Sequence, residues 1–168
     1  MDQMVYHTKA VARGVTQALV VADMPFLSYQ SDMKSAVHNA GRFLKEAGAD
    51  AVKLEGGREI IPVVEKLVSA GIPVCGHLGL TPQSIKLFDG YRVRGKGEEE
   101  KRKIKDDAAA LEDAGAFGIV LEKIPASLAA EITADLKIIT VGIGAGADCD
   151  GQIIVTHDLL GLYEEFKP

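Results

Sequence analysis

The chain has 168 residues, 47% of them hydrophobic, and a formal net charge of −5. This length suits one domain with a buried core, over residues 1–168, and the apolar content excludes a disordered chain. No apolar run approaches the roughly 20 residues of a membrane span, no secretory signal pattern opens the sequence, and no Lys/Arg cluster marks a nucleic-acid surface. We therefore expect a cytoplasmic protein that binds neither nucleic acid nor membrane.

The first half of the chain alternates predicted helices and strands. Amphipathic or polar segments predict helices over residues 2–12, 31–47 and 60–70. Each helix is followed by an apolar segment that predicts a strand, over residues 17–22, 51–54 and 72–75. Gly48 suits the position just after a helix, and Pro62 is tolerated only in a first turn.

The second half repeats this alternation after a short predicted helix at Thr81 and a glycine-containing loop over residues 88–97. Helices are predicted over residues 98–114 and 125–135. Strands are predicted over residues 117–121, 137–141 and 152–156, which brings the strand count to six. Apolar strands separated by helices predict a parallel sheet with helices packed outside it.

A doubly wound sheet and a TIM barrel both fit this alternation. Two observations favour the barrel: ionisable residues end several strands, as in a ring-like site, and the glycine-rich segment 142–146 follows a late strand rather than the first. A complete barrel usually takes about 250 residues, so this α/β chain has room for only six of the eight βα units. The same glycine segment lacks the spacing of a dinucleotide fingerprint and predicts a close backbone approach instead.

Three residues near the ends of the first two strands are candidates for metal or substrate binding. Asp23 follows an apolar strand and offers a hard oxygen ligand for a divalent cation, although a turn aspartate is the alternative. Lys53 and Glu55 are two residues apart on one strand, so their side chains share a face. They line the barrel mouth if that face points inward. If it does not, they form a surface ion pair that contributes little to stability.

Two further candidates lie near the ends of later strands. His77 stands between glycine and leucine in a predicted loop, and it either lines a pocket or is a structural histidine. Glu122 ends a strongly apolar strand, where an apolar setting would make its carboxylate a stronger base. The alternative is that Glu122 stabilises the start of the following helix. Cys75 and Cys149 are the only cysteines, and we expect free thiols, with Cys75 buried.

Several short motifs together resemble the ketopantoate hydroxymethyltransferase family of pantothenate and coenzyme A biosynthesis. They run in the family's order over essentially the whole chain: Tyr6-His7-Thr8, Ala22-Asp23-Met24-Pro25-Phe26, Lys53-Leu54-Glu55-Gly56-Gly57, Gly76-His77-Leu78-Gly79-Leu80-Thr81-Pro82-Gln83, Gly90-Tyr91-Arg92-Val93, Leu121-Glu122 and Gly142-Ile143-Gly144-Ala145-Gly146. The family's opening portion, with two barrel strands and a Gly-Asp-Ser motif, has no counterpart here. The resemblance therefore implies strands three to eight of a TIM barrel of the phosphoenolpyruvate/pyruvate type.

The resemblance also implies an activity and roles for the candidate residues. The family transfers a hydroxymethyl group from 5,10-methylenetetrahydrofolate to 3-methyl-2-oxobutanoate through a metal-stabilised enolate, and forms homo-oligomers. By this resemblance Asp23 and Glu55 bind Mg²⁺ or a similar cation. Asp23, Lys53 and His77 bind the oxoacid, and Glu122 accepts the proton.

Two alternatives stay open from the sequence. One is a metal-dependent lyase or mutase of the same barrel group, which would share the strand-end carboxylates. The other is a catalytically inert fragment that needs another chain to complete the barrel, since two open sheet edges invite pairing.

Overall fold

The computed structural model describes residues 1–87 and 90–162. The strands of the described chain are β1 Val21–Asp23, β2 Ala51–Glu55, β3 Val74–Gly79, β4 Gly118–Glu122, β5 Ile139–Ile143 and β6 Gly151–Gln152. The α-helices are α1 Asp2–Gly14, α2 Met33–Ala47, α3 Ile61–Ser69, α4 Glu98–Asp113, α5 Ala126–Asp135 and α6 Thr156–Leu159. Short 3₁₀ helices span Arg58–Ile60 and Pro82–Ser84.

The six strands form one parallel sheet in which each strand pairs with its neighbour in sequence, in the order β1-β2-β3-β4-β5-β6. A doubly wound sheet reverses its strand order at a switch point, and this order contains no reversal. The sheet is therefore a curled partial barrel, which confirms the predicted α/β barrel architecture. Among the described residues β1 and β6 are the two edges, and each pairs with one strand only.

Local signals fix where the helices begin and end. Asp32 caps α2 because its side chain accepts a hydrogen bond of 2.9 Å from the Ser35 N–H, so the helix begins later than predicted. Gly48 ends α2 in the left-handed conformation, with φ 74°, as its position after the helix predicted. Three glutamates in the first turn of α4 lie where the helix dipole favours negative charge.

The core lies between the sheet and the helices that pack on its outside. Helices and strands contribute side chains that are completely buried, among them Phe43, Val64, Leu67, Leu111, Val52, Leu54, Ile119 and Leu121. Each large apolar side chain of this kind stabilises the fold by about 1.5–3 kcal/mol when it leaves water. This packing holds the strand ends, which carry the candidate residues, at fixed spacings.

Three predicted strands differ by several residues from the observed ones. β1 begins at Val21, whereas the prediction began at residue 17. β3 continues through Gly79, so His77 belongs to the strand rather than to a loop. The prediction of a strand over residues 152–156 was wrong beyond Gln152: α6 begins at Thr156, and Ile153, Ile154 and Val155 are about half exposed. An apolar run alone does not distinguish a buried strand from an exposed segment.

Three further expectations from the sequence were free thiols, the absence of a membrane span and a single domain. Cys75 and Cys149 are both free, and Cys75 is buried as expected. Within residues 1–87 and 90–162, every helix is too short or too polar to cross a membrane. The single domain over residues 1–168 stays a prediction.

Candidate active site

The parallel register brings the candidate residues to one edge of the sheet. Asp23 pairs with Lys53 across β1 and β2, and Glu55 pairs with His77 across β2 and β3. Glu122 pairs with Gly79 at the ends of β4 and β3. Carboxyl ends of parallel strands are where barrel active sites form. All five side chains predicted from the sequence therefore lie along the same rim, over four consecutive strands.

His77 is the centre of this rim and is almost completely buried. Its Nε2 lies 3.2 Å from Oε2 of Glu122, and its Nδ1 lies 3.7 Å from Oε1 of Glu55. The Nε2 contact lacks the alignment of a hydrogen bond, so Nε2 is a buried nitrogen with no hydrogen-bond partner among the described residues. The imidazole thus separates two carboxylates and has one polar atom available for a ligand.

Lys53 links this centre to Asp23. Its ammonium lies 2.5 Å from Oδ1 of Asp23 and 3.5 Å from Nδ1 of His77. An ammonium has only donors, so a hydrogen bond to Nδ1 leaves the ring proton of a neutral His77 on Nε2, facing Glu122. The Lys53 side chain is 17% exposed and that of Asp23 is 52% exposed. The pair is therefore half open to solvent, unlike the imidazole beside it.

Burial perturbs the carboxyl group of Glu55. Burial raises its pKa above the usual range, and the nearby charge of Asp23 adds to the increase. The Gln83 N–H, which donates to Oε2 at 2.9 Å, and the nearby ammonium of Lys53 oppose that shift. Negative charge is therefore costly at Glu55, mainly because the carboxyl group is buried.

The donor chemistry of Asp23 and Glu55, two hard carboxylate oxygens at neighbouring strand ends, is the observation by which the rim fits a divalent cation. Mg²⁺ typically binds through one or two carboxylates and keeps several waters or substrate oxygens, which Asp23 and Glu55 suit. Lys53 competes for Asp23 by its ion pair. Over residues 1–87 and 90–162, no three His, Cys, Asp or Glu side chains converge as a ready-made metal cluster. Any cation here would depend on oxygens from substrate or water.

Glu122 is held by backbone contacts on both sides. Its carbonyl accepts a hydrogen bond of 2.8 Å from the Leu80 N–H. Gly79 lies opposite with φ 92°, and a Cβ there would clash with the Glu122 carbonyl, so only glycine allows β3 and β4 to approach this closely. Lys123 follows with φ 47°, which is strained for a residue with a side chain. The Glu122 side chain is 19% exposed and faces His77.

The glycine-rich segment after β5 supports the rim rather than a nucleotide. Lys123 N–H donates to the Ile143 carbonyl at 2.9 Å, which ties the end of β4 to the end of β5. A Cβ at Gly146 would clash with Ala126 at the start of α5. This close packing agrees with the close backbone approach that the sequence predicted.

Sequence reasoning missed two residues of the rim. Tyr29, in the loop after β1, is completely buried, and its hydroxyl contacts the backbone of Glu55. Gln83 contacts the Glu55 carboxylate through its own N–H. Gln83 stood inside a quoted motif without an assigned role, whereas nothing in the pattern around Tyr29 distinguished it from a loop aromatic. Both depend on tertiary contacts between segments 26 or more residues apart.

Comparison with known proteins gives a consistent assignment. A family model described as ketopantoate hydroxymethyltransferase matches residues 1–168. The chain is 61% identical to the 3-methyl-2-oxobutanoate hydroxymethyltransferase of Moorella thermoacetica and 59% identical to that of Syntrophus aciditrophicus, over its full length in both cases. It spans 62% of the length of each of these relatives.

A solved structure supports the fold alone. A lyase/mutase from Burkholderia cenocepacia J2315 superposes with a TM-score of 0.59, at 16% identity, over 84% of this chain and 51% of the other. At this identity the likeness extends to the barrel architecture and to nothing beyond it.

Proposed function

The chain belongs to the ketopantoate hydroxymethyltransferase family, and we propose that the complete protein transfers a hydroxymethyl group from 5,10-methylenetetrahydrofolate to 3-methyl-2-oxobutanoate. The product would be 2-dehydropantoate, on the route to pantothenate. The observation that carries this proposal is the buried His77, which lies between Glu55 and Glu122 at the carboxyl ends of the strands. That arrangement offers one carboxylate for proton transfer and another that would hold a cation beside the reacting ketone.

The first step is removal of the proton at C3 of the oxoacid. Glu122 is the base in our proposal, since its carboxylate is partly exposed at the rim and borders the unsatisfied His77 nitrogen. The C3–H bond breaks, the proton passes to Glu122, and the electron pair delocalises into the keto group as an enolate. A positioned carboxylate base contributes about 10²- to 10⁴-fold to such a step.

The remaining residues orient the oxoacid. Lys53 would pair with its carboxylate, exchanging part of its present contact with Asp23. His77 would direct Nε2 towards a substrate oxygen, which would satisfy a buried polar atom. Asp23 and Glu55 would hold a divalent cation, and when bound that cation polarises the keto oxygen and lowers the cost of negative charge there.

The second step forms the new carbon–carbon bond. The nucleophilic C3 attacks the methylene carbon of 5,10-methylenetetrahydrofolate, one carbon–nitrogen bond to the folate breaks, and the freed nitrogen takes the proton that Glu122 removed. Water then displaces the second nitrogen: its oxygen becomes the hydroxyl group, one of its protons passes to that nitrogen, and tetrahydrofolate leaves. No oxidant or reductant is needed, because the transfer is redox-neutral overall.

Cellular setting and assembly belong to the same proposal. We place the protein in the cytoplasm, where its two free thiols would stay reduced. We also propose that the complete protein is a homo-oligomer, as the family resemblance implies.

An assay on the complete protein tests the proposal. Purified protein is incubated with Mg²⁺, 3-methyl-2-oxobutanoate and 5,10-methylenetetrahydrofolate, and 2-dehydropantoate is followed by mass spectrometry. We expect product only when the folate is present. Consumption of the oxoacid without folate would instead support a lyase or mutase, and activity of the pure 168-residue chain would reject the inert-fragment alternative.

A further inference from the structure

Tyr29 carries a hydroxyl into the completely buried core beneath Glu55. The Glu55 N–H donates to this hydroxyl at 3.0 Å, and the hydroxyl lies 2.9 Å from the Glu55 carbonyl and 3.2 Å from Oε1 of Gln83. A phenol has a single proton, so the Glu55 carbonyl and the Gln83 side chain share it. Tyr29 therefore binds both the N–H and the carbonyl of Glu55, the last residue of β2.

Gln83 holds the side chain of the same residue. Its backbone N–H donates to Oε2 of Glu55 at 2.9 Å, and its Nε2 donates to the Met24 carbonyl at 2.8 Å. Met24 follows β1, Glu55 ends β2, and Gln83 lies in the 3₁₀ helix after β3. Three consecutive strand ends thus converge on Glu55 through Tyr29 and Gln83.

The consequence is a carboxylate with two unequal oxygens. Oε2 is committed to Gln83, whereas Oε1 points to the imidazole of His77, 3.7 Å from Nδ1. With its backbone fixed by Tyr29 and one oxygen fixed by Gln83, Glu55 loses the rotamer freedom that an exposed glutamate has. A side chain held this way is pre-organised for a ligand on its second oxygen.

We propose that Tyr29 and Gln83 are positioning residues that hold Glu55 so that Oε1 faces the reacting site. This inference deepens the proposed function and rests on it for the identity of the ligands. The contacts given above for Tyr29 and Gln83 are to Glu55, to each other and to the Met24 carbonyl. Both residues act through Glu55, as outer partners of metal-binding carboxylates do, and the loss of such partners typically costs about 10- to 100-fold in metal affinity or activity.

The test uses the complete protein and a variant that removes one oxygen atom. Tyr29→Phe keeps the buried ring and deletes only the hydroxyl, and Tyr6→Phe makes the same change at a 67% exposed tyrosine of α1. Mg²⁺ affinity is measured by calorimetry with MgCl₂ alone, and kcat and KM are measured for 3-methyl-2-oxobutanoate. We expect Tyr29→Phe to weaken Mg²⁺ binding by about 10- to 100-fold and Tyr6→Phe to leave it unchanged.

A second variant separates positioning from general stability. Gln83→Ala keeps the backbone N–H but removes the amide that joins Tyr29 and Met24, so we expect a smaller loss of Mg²⁺ affinity. Because both residues act on one carboxylate, the double variant should lose less than the sum of the two single losses, expressed as free energies. Amide hydrogen exchange of Glu55 should be faster in Tyr29→Phe, which reports the released backbone directly.

The outcomes are distinct. Equal Mg²⁺ affinity and equal kcat in Tyr29→Phe and Tyr6→Phe would overturn the positioning role, as would a loss of activity that only follows a loss of folded protein. A parent protein that binds Mg²⁺ but makes no 2-dehydropantoate would refute the proposed function, and the Mg²⁺ comparison would still decide the role of Tyr29.

Discussion

His77 has a carboxylate near each ring nitrogen, and each of these carboxylates ends a neighbouring strand. The sequence predicted that Asp23, Lys53, Glu55, His77 and Glu122 share a site, because ionisable residues at the ends of parallel strands meet at one edge. It did not predict the order of contacts along the rim. That order depends on the strand register and on buried partners such as Tyr29, which come from distant segments.

The conformation of Gly79 gives a prediction at the scale of one residue. Gly79→Ala places a methyl group against the Glu122 carbonyl in a left-handed backbone, so we expect a loss of about 1–3 kcal/mol in the free energy of unfolding. We also expect lower activity, since relief of the clash moves Glu122. Urea unfolding followed by circular dichroism measures the first effect.

Gly41 is the matched control for this substitution. It lies inside α2 with open space around the position of a Cβ, so Gly41→Ala should leave stability unchanged or increase it through higher helix propensity. Equal stability of the two alanine variants would show that the close approach of β3 to β4 does not need glycine.

Most of the helices and strands followed from local patterns, and the exceptions have physical causes. The end of α2 agreed with the prediction because Gly48 marks it, whereas the Asp32 cap places the start of α2 two residues later than predicted. β3 is longer than predicted. Gly76 and Gly79 are typical of loops in a sequence pattern, but hydrogen bonds to β2 and β4 on both sides keep these residues in the strand. β6 fell short because its pairing with β5 covers Gly151 and Gln152, and after them the Ile153 N–H donates one more hydrogen bond, of 3.0 Å, to the Gly142 carbonyl near the end of β5.

The cap of α2 gives a prediction with a defined pH dependence. The Ser35 hydrogen bonds lower the pKa of Asp32 below its ordinary value of 3.8, so the folded state favours the ionised carboxylate. The stabilisation is therefore fully present above about pH 3.8 and is lost as pH falls through the lower folded pKa. Asp32→Ala should lower the urea midpoint at pH 7, and the difference from the parent should shrink in acid.

Urea titrations of both proteins between pH 7 and about pH 3 measure this difference. Asp148→Ala provides a comparison at an acidic residue with no helix-capping role. A difference for Asp32→Ala that stays constant over the whole range would contradict the account, because it would mean that the charge of Asp32 is irrelevant to the cap.

On the scale of the whole molecule, the sheet curls without closing between β1 and β6 in the described chain. The alternation of strands and helices predicted the barrel class, and the sequential strand order confirms it. Val21 on β1 and Ile153, Ile154 and Val155 after β6 expose apolar side chains near the two edges. Open edges and exposed apolar residues both favour association.

We therefore predict that the purified 168-residue chain self-associates. Sedimentation velocity over a range of concentrations should show species larger than the 17.9 kDa monomer, with a weight average that rises with concentration. Replacing Ile154 by Lys should reduce the association, while Leu87→Lys, at an 85% exposed position outside both edges, should not. A compact monomer that melts cooperatively at every concentration would contradict this prediction.

The central claim is that Glu122 takes the C3 proton of the oxoacid, and hydrogen exchange tests it without the folate step. The complete protein is incubated in D₂O with Mg²⁺ and 3-methyl-2-oxobutanoate, and deuterium at C3 is followed by NMR. Glu122→Gln keeps the side-chain shape but cannot accept the proton, and Glu65→Gln is the control on the exposed face of α3. We predict that Glu122→Gln slows exchange by about 10²- to 10⁴-fold while oxoacid binding persists. Exchange at the parent rate in Glu122→Gln would contradict the claim and move the role of base to His77.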